Sequence, residues 1–266
     1  MTPKTASLAS GTLRYFDAGS GAPMVLLHAF PLGAEQWRPQ LLSPPAGWRL
    51  VAPDLRGFGG SPLLGPPAAM TIERYADEVF ELMTLLGIES AGVTGLSMGG
   101  YVALAMLERD PSRISRLVLA DTRAAADSDD ARAGRDRMID LVRREGPPRI
   151  AAEMLPKLLG STSAREQPDL ALTVERLIES NAPEGIEAAL TAMKTRPDRT
   201  ALLATVACPA VVVCGSDDVV TPPAECERMS RRIPGASFVQ IDGAAHLSNL
   251  ERPEAFTRAM VGGGQA

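Results

Sequence analysis

Apolar residues along the chain gather into short runs, each closed by Gly, Pro or Asp: Met24–His28, Leu50–Pro53, Ala91–Thr94, Leu117–Ala120, Ala210–Cys214 and Ser237–Ile241. Runs of this length, rich in β-branched residues and mostly without polar alternation, suit parallel strands covered on both faces. Leu8–Phe16 differs: it alternates and is interrupted at Gly11, which suits an antiparallel edge hairpin. Between the runs, apolar residues recur at spacings of three and four. In Thr71–Leu86, the residues Ile72, Tyr75, Val79, Met83 and Leu86 fall on one helical face. Thr71 is placed to cap the start and Gly87 to supply a left-handed stop. Strands alternating with helices predict a mostly parallel central sheet with helices on both faces, an α/β fold.

The alternation fails from about Arg123 to Thr200. Asp127–Arg144, Arg149–Leu159 and Pro168–Arg196 read there as helices, broken at Gly146-Pro147-Pro148 and Asn181-Ala182-Pro183. The expected organisation is therefore a core in two parts, residues 1–122 and 201–266, with an inserted helical cap at 123–200. Met154, Leu155, Leu158 and Leu159 give the insertion an apolar stripe, and Met154 is the residue expected to reach a pocket beneath it.

Composition narrows the partners. Apolar residues make up 45% and charged residues 22%, as in soluble globular chains, which excludes a disordered or disulfide-stapled protein. A net charge of −5 and 4% aromatics leave no general attraction for nucleic acid and few stacking platforms. The cysteines Cys208, Cys214 and Cys226 are scattered, and neither histidine neighbours one, so reduced thiols and no metal site are expected. With no signal-like N-terminus and no apolar run of about 18 residues, the expectation is a cytoplasmic protein without a membrane partner.

The chemistry concentrates at strand ends. Gly95-Leu96-Ser97-Met98-Gly99 follows the run Ala91–Thr94 and precedes a helical stretch, Tyr101–Glu108. This is the strand-turn-helix context of the Gly-x-Ser-x-Gly nucleophile elbow, in which a strained turn pushes the serine hydroxyl above the sheet. A helix N-terminus beneath it favours developing negative charge. A base near neutral pH points to histidine. Of the two, His28 sits in the turn His28-Ala29-Phe30-Pro31 and reads as bonded to backbone, which leaves His246 beyond the last strand. Two carboxylates, Asp217 and Asp218, follow the run Ala210–Cys214, and Asp121 ends Leu117–Ala120.

These motifs together resemble the α/β-hydrolase superfamily. The His28–Pro31 turn is similar to its His-Gly-x-Pro turn, with Ala29 in place of the usual Gly; Asp54-Leu55-Arg56-Gly57-Phe58-Gly59-Gly60-Ser61 is similar to its structural Asp-x-Arg-Gly-x-Gly-x-Ser loop. The resemblance implies an oxyanion hole from the backbone N–H groups of Phe30 and Met98. It also implies the order serine, acid, histidine, and its Gly-x-x-Asp-x-x-x-Pro spacing, Gly215 to Pro222, selects Asp218. Asp121 stands as the outside candidate, because some relatives carry the acid after that strand. Leu250-Glu251-Arg252-Pro253 resembles the superfamily's ending, with Pro253 opening the last helix.

Within the superfamily, the stretches around His28, Ser97 and Asp121 are most similar to 3-oxoadipate enol-lactonases and cofactor-free haloperoxidase-like esterases. The expected activity is cofactor-free hydrolysis of a small-molecule ester or lactone by Ser97, His246 and Asp218. Thioesterase, carbon–carbon hydrolase and perhydrolase chemistry could use the same residues, and a small-molecule receptor could use the same fold. An anionic enol lactone would need a cation at the pocket, for which Arg123 and Lys157 are the candidates.

Overall fold

The computed structural model describes residues 1–262. Its eight strands are β1 (Lys4–Leu8), β2 (Gly11–Gly19), β3 (Ala22–Leu27), β4 (Trp48–Pro53), β5 (Ala91–Leu96), β6 (Ile114–Ala120), β7 (Ala210–Gly215) and β8 (Ser237–Ile241). They form one sheet in the order β1-β2-β4-β3-β5-β6-β7-β8. The edge hairpin β1–β2 is antiparallel, and its turn uses Gly11 at φ +101°. From β4 to β8 every neighbouring pair is parallel. The unbroken apolar runs follow from this position: Met24, Val25, Leu26 and Leu27 of β3 have no exposed surface, because layers cover both faces of the strand.

The core helices are α1 (Arg38–Leu42), α2 (Ile72–Leu85) and α3 (Met98–Arg109). As expected, the Thr71 hydroxyl caps α2 by accepting from the Arg74 N–H, and Gly87 turns left-handed just beyond it. The chain runs from β3 outward to β4, then back across to β5. Right-handed connections therefore put α1 on one face and α2 and α3 on the other. β3 and β5 lie side by side with their connections leaving in opposite directions, so a crevice opens at their carboxyl ends.

Five helices separate β6 from β7: α4 (Asp129–Glu145), α5 (Pro147–Leu158), α6 (Ser161–Glu166), α7 (Pro168–Glu179) and α8 (Pro183–Thr195). The helical segment breaks at Gly146 as expected, and Pro147 and Pro148 then start α5, since proline at the first helical positions lacks only an N–H that has no partner there. Ile150, Val174, Ile178 and Ile186 are buried and continue the main apolar core. At the C-terminal end of the insertion, the Arg196 guanidinium pairs with Asp127 at 2.7 Å and lies 4.0 Å from the centre of the Tyr101 ring. Arg199 reaches Glu73 of α2 and Glu108 of α3.

The chain closes with α9 (Pro223–Ser230), α10 (Ser248–Glu251) and α11 (Pro253–Gly262), and Trp37 packs on Phe256 to join the last helix to α1. No helix among the described residues is long and apolar enough to cross a membrane.

Candidate active site

Ser97 stands between β5 and α3 at φ +54°, a backbone conformation rare for a residue with a side chain. Glycine is what permits so sharp a turn. A Cβ on Gly99 would sit 2.1 Å from the Leu27 carbonyl oxygen, and one on Gly95 would sit 2.3 Å from that of Gly99. The turn is tied down: the Ser97 N–H donates to the Ala120 carbonyl, and the Thr122 hydroxyl donates to the Ser97 carbonyl at 2.7 Å. Its own hydroxyl is left free to face the crevice.

There it meets His246. The Ser97 Oγ and His246 Nε2 are 2.9 Å apart, and His246 Nδ1 lies 2.9 Å from Asp218 Oδ2. His246 and Asp218 are almost fully buried, whereas Ser97 is partly exposed. The loop carrying Asp218 approaches the histidine loop closely, with the Asp217 N–H donating to the Ala244 carbonyl at 2.8 Å. Gly215 is required at this approach, because a Cβ would lie 2.2 Å from the Ala245 carbonyl oxygen.

Asp218 is held in place from every side. Its Oδ1 accepts from the Val220 and Thr221 N–H groups, and its Oδ2 accepts from the Thr221 hydroxyl at 2.6 Å as well as from His246. Burial alone would push its carboxyl up; the facing His246 and these bonds outweigh burial and hold it below the ordinary range. Asp217 is exposed, and its carboxylate accepts from the neighbouring Ser216 hydroxyl. Asp121 is fully buried beside Asp218, but its oxygens are bonded to the Gly215 N–H and the Ser248 hydroxyl and not to histidine.

His28 is bonded to backbone at both nitrogens. Nδ1 donates to the Ala29 carbonyl, and Nε2 accepts from the Leu55 N–H at 3.0 Å. Burial pushes it below the usual histidine range, so it is a neutral structural residue. The Asp54–Ser61 loop is structural too: Arg56 is buried against Glu78 and also donates to the Thr12 and Pro62 carbonyls. The Phe30 turn follows β3, next to β5, and Met98 is the first residue of α3, where backbone N–H groups have no helical acceptor.

The insertion grips both walls of the crevice. On one side the Asn181 amide donates to the Pro31 carbonyl and its oxygen accepts from the Gly59 N–H. On the other, the Leu247 N–H donates to the Leu158 carbonyl, and Glu251 bridges the N–H groups of Ala245 and Gly160. Nothing in the local sequence announces Asn181 or Glu251 as such links, because each joins segments far apart along the chain.

Met154 is half-buried against the apolar core. Arg123 donates to the Val220 carbonyl and pairs with Glu225 of α9, lining a cleft to which Ser97, Asp218 and His246 do not contribute. Lys157 is exposed in a groove between α4 and α5. Among the described residues, Asp121, Cys214 and Asp218 bring potential metal-binding atoms within 4.8 Å of one another. They fit a metal poorly. The Cys214 thiol donates to backbone carbonyls, its ionisation is pushed far up by Cys226 and by burial, and both Asp218 oxygens are engaged.

The profile of the family described as alpha/beta hydrolase fold matches residues 22–253. The chain belongs to the α/β-hydrolase family. Among solved structures, a thermophilic esterase from Thermogutta terrifontis is 39% identical, with a TM-score of 0.92 over 98% of this chain and 97% of that one. The enol-lactonase from Burkholderia xenovorans is 28% identical, with a TM-score of 0.89 over 97% and 98%. In sequence, 3-oxoadipate enol-lactonase 1 of Acinetobacter baylyi is 27% identical over 85% of this chain and 82% of its own.

Proposed function

We propose that this α/β-hydrolase cleaves a carboxylic ester or lactone through an acyl-enzyme on Ser97, with His246 as base and Asp218 as its orienting acid. The observation carrying the reading is the continuous hydrogen-bonded line Ser97 Oγ, His246 Nε2 and Nδ1, Asp218 Oδ2, with 2.9 Å at both links. The esterase and lactonase relatives support the substrate class.

In the first step Ser97 Oγ attacks the carbonyl carbon while His246 Nε2 takes its proton. Asp218, held as a carboxylate, fixes the Nδ1–H tautomer and stabilises the imidazolium. Negative charge moves to the carbonyl oxygen, where the Phe30 and Met98 N–H groups receive it at the N-terminus of α3. Collapse breaks the carbon–oxygen bond, and His246 returns the proton to the departing oxygen. Water, deprotonated by His246, then releases the acid. In a lactone the departing oxygen stays tethered to the acyl chain, so the product is one ring-opened molecule. The chemistry needs no cofactor. Residues 123–200 act as the cap, held to the Phe30 turn by Asn181 and to the histidine loop by Leu158.

A hydrolysis screen of aryl acetate, butyrate and octanoate, an acyl thioester and an enol lactone tests the reading. Oxygen-ester or lactone turnover that disappears in Ser97→Ala is expected. Turnover that survives in Ser97→Ala, or is confined to thioesters, would overturn it.

A further inference from the structure

Asp121 is a fully buried carboxyl that the proposed reaction does not use, although it adjoins the acid that does. It follows β6 in a left-handed conformation, φ +45°. One of its oxygens lies within 4.8 Å of an Asp218 oxygen and of the Cys214 sulfur. The groups facing it are Cys214 of β7, Asp218 of the loop after that strand, Cys226 from α9 and Ser248 from α10. The nearby cationic group, the His246 imidazolium when formed, is bonded to Asp218 and not to Asp121. Two carboxylates this close in a dry site do not both ionise readily.

The hydrogen bonds of Asp121 accommodate a neutral form. Oδ1 accepts from the Gly215 N–H at 2.8 Å, and Oδ2 lies in tight contact with the Ser248 hydroxyl. A hydroxyl can donate or accept, so the Oδ2–Ser248 contact serves a carboxylate and a carboxylic acid alike, and the buried Asp218 charge beside it favours the acid. We infer that Asp121 is a positioning residue working as a neutral acid: its Oδ2–H donates to Ser248 while its Oδ1 holds Gly215, clamping the Asp218 strand end to the His246 loop. Gly215 is three residues before Asp218, and Ser248 two after His246. The clamp therefore spans the pair that must stay in register, and Asp218 is the single charge beside the imidazole. Burial, and after it the charge of Asp218, hold the Asp121 carboxyl well above the ordinary range, in keeping with this form.

The inference rests on reading Ser97, His246 and Asp218 as the reacting residues, and its test separates the two. Asp121→Gly keeps the left-handed backbone and removes both bonds. Asp121→Asn restores them, since its oxygen can accept from Gly215, its amide can donate to Ser248, and Asn tolerates positive φ. Expected are a kcat loss of about tenfold or more in Asp121→Gly, with KM within about threefold, and recovery to within about threefold of the parent in Asp121→Asn. The acid limb of the kcat/KM profile should not move in Asp121→Asn.

Stability adds a readout that packing alone would not move. A carboxyl held neutral in the folded protein ionises on unfolding once the pH exceeds its ordinary value of 3.8, so the parent loses stability as pH rises above that value. Asp121→Asn removes this loss. Its Tm should exceed the parent's at about pH 8, with the difference shrinking toward about pH 4. A Tm below the parent's at the higher pH, an acid limb moved by about one unit, or a large kcat loss in Asp121→Asn would each mean an ionised Asp121 and overturn the inference. Full kcat in Asp121→Gly would dismiss the clamp. Activity retained in Asp218→Asn would instead sink the assignment of the reacting residues.

Discussion

Replacing Asp218 by Asn exchanges one oxygen for an NH2 group and leaves the shape of the site intact. The consequence follows from which atoms are already committed. Oδ1 accepts from the Val220 and Thr221 N–H groups at 2.7 and 3.0 Å, so the amide oxygen stays there and the NH2 faces His246. His246 Nδ1 must then accept, and its proton moves to Nε2, 2.9 Å from Ser97 Oγ. An N–H at that position cannot take the serine proton. A wrong tautomer of this kind costs about 10³–10⁴-fold in kcat, or about 4–5.5 kcal/mol of transition-state stabilisation.

The assay is aryl acetate hydrolysis by purified Asp218→Asn and Asp217→Asn, with Tm measured on both. Asp217 is exposed and should change kcat by less than about twofold. Asp218 is held below its ordinary value of 3.8, so its contribution to stability is present above that pH and lost as pH falls through the lower folded value. The Asp218→Asn protein should therefore melt somewhat lower at neutral pH, with the gap closing in acid. A kcat loss below tenfold, or an equal loss in Asp217→Asn, would show that Asp218 does not set the His246 tautomer.

Other substitutions probe the scaffold. Gly99→Ala places a Cβ 2.1 Å from the Leu27 carbonyl oxygen, a backbone atom that cannot turn aside, and should destabilise by about 2–3 kcal/mol, read as a lowered denaturant midpoint with reduced kcat. Asn181→Ala removes bonds to Pro31, Gly59 and Leu177; a loss of about 2–3 kcal/mol and a larger rise in KM than fall in kcat are expected, and an unchanged KM would argue against the cap gripping the crevice. Met154→Ala should shift preference among acetate, butyrate and octanoate toward longer chains if Met154 narrows the pocket; constant ratios would dismiss that contact.

Much of this architecture is legible in the sequence because burial is nearly uniform along each central strand. Every residue of β5 and β7 is buried, and the single hydroxyl among them, Thr94, is turned inward onto Met24 Sδ, so the apolar runs stay easy to read. The elbow is legible for a different reason: close approach leaves only glycine at positions 95 and 99. The short α9 is harder to read, since Cys226 and Met229 are its only large apolar buried residues, and α6 has six residues and no apolar stripe. Side-chain direction is harder still. Arg123 turns toward the Val220 carbonyl and Glu225, an outcome set by how α9 packs and not by any residue beside it in sequence. The contacts of Asn181 with Pro31 and of Asp121 with Ser248 join residues 150 and 127 positions apart, and no local pattern encodes them.

The proposed reaction stands on Ser97 as the nucleophile, activated by His246. Treating the protein with an aryl phosphonate fluoride and mapping the adduct by peptide mass spectrometry tests it most directly. One phosphonyl group per chain is expected, on Ser97, formed in step with loss of ester hydrolysis and greatly slowed in His246→Ala. An adduct on another residue, or full activity with Ser97 labelled, would contradict it.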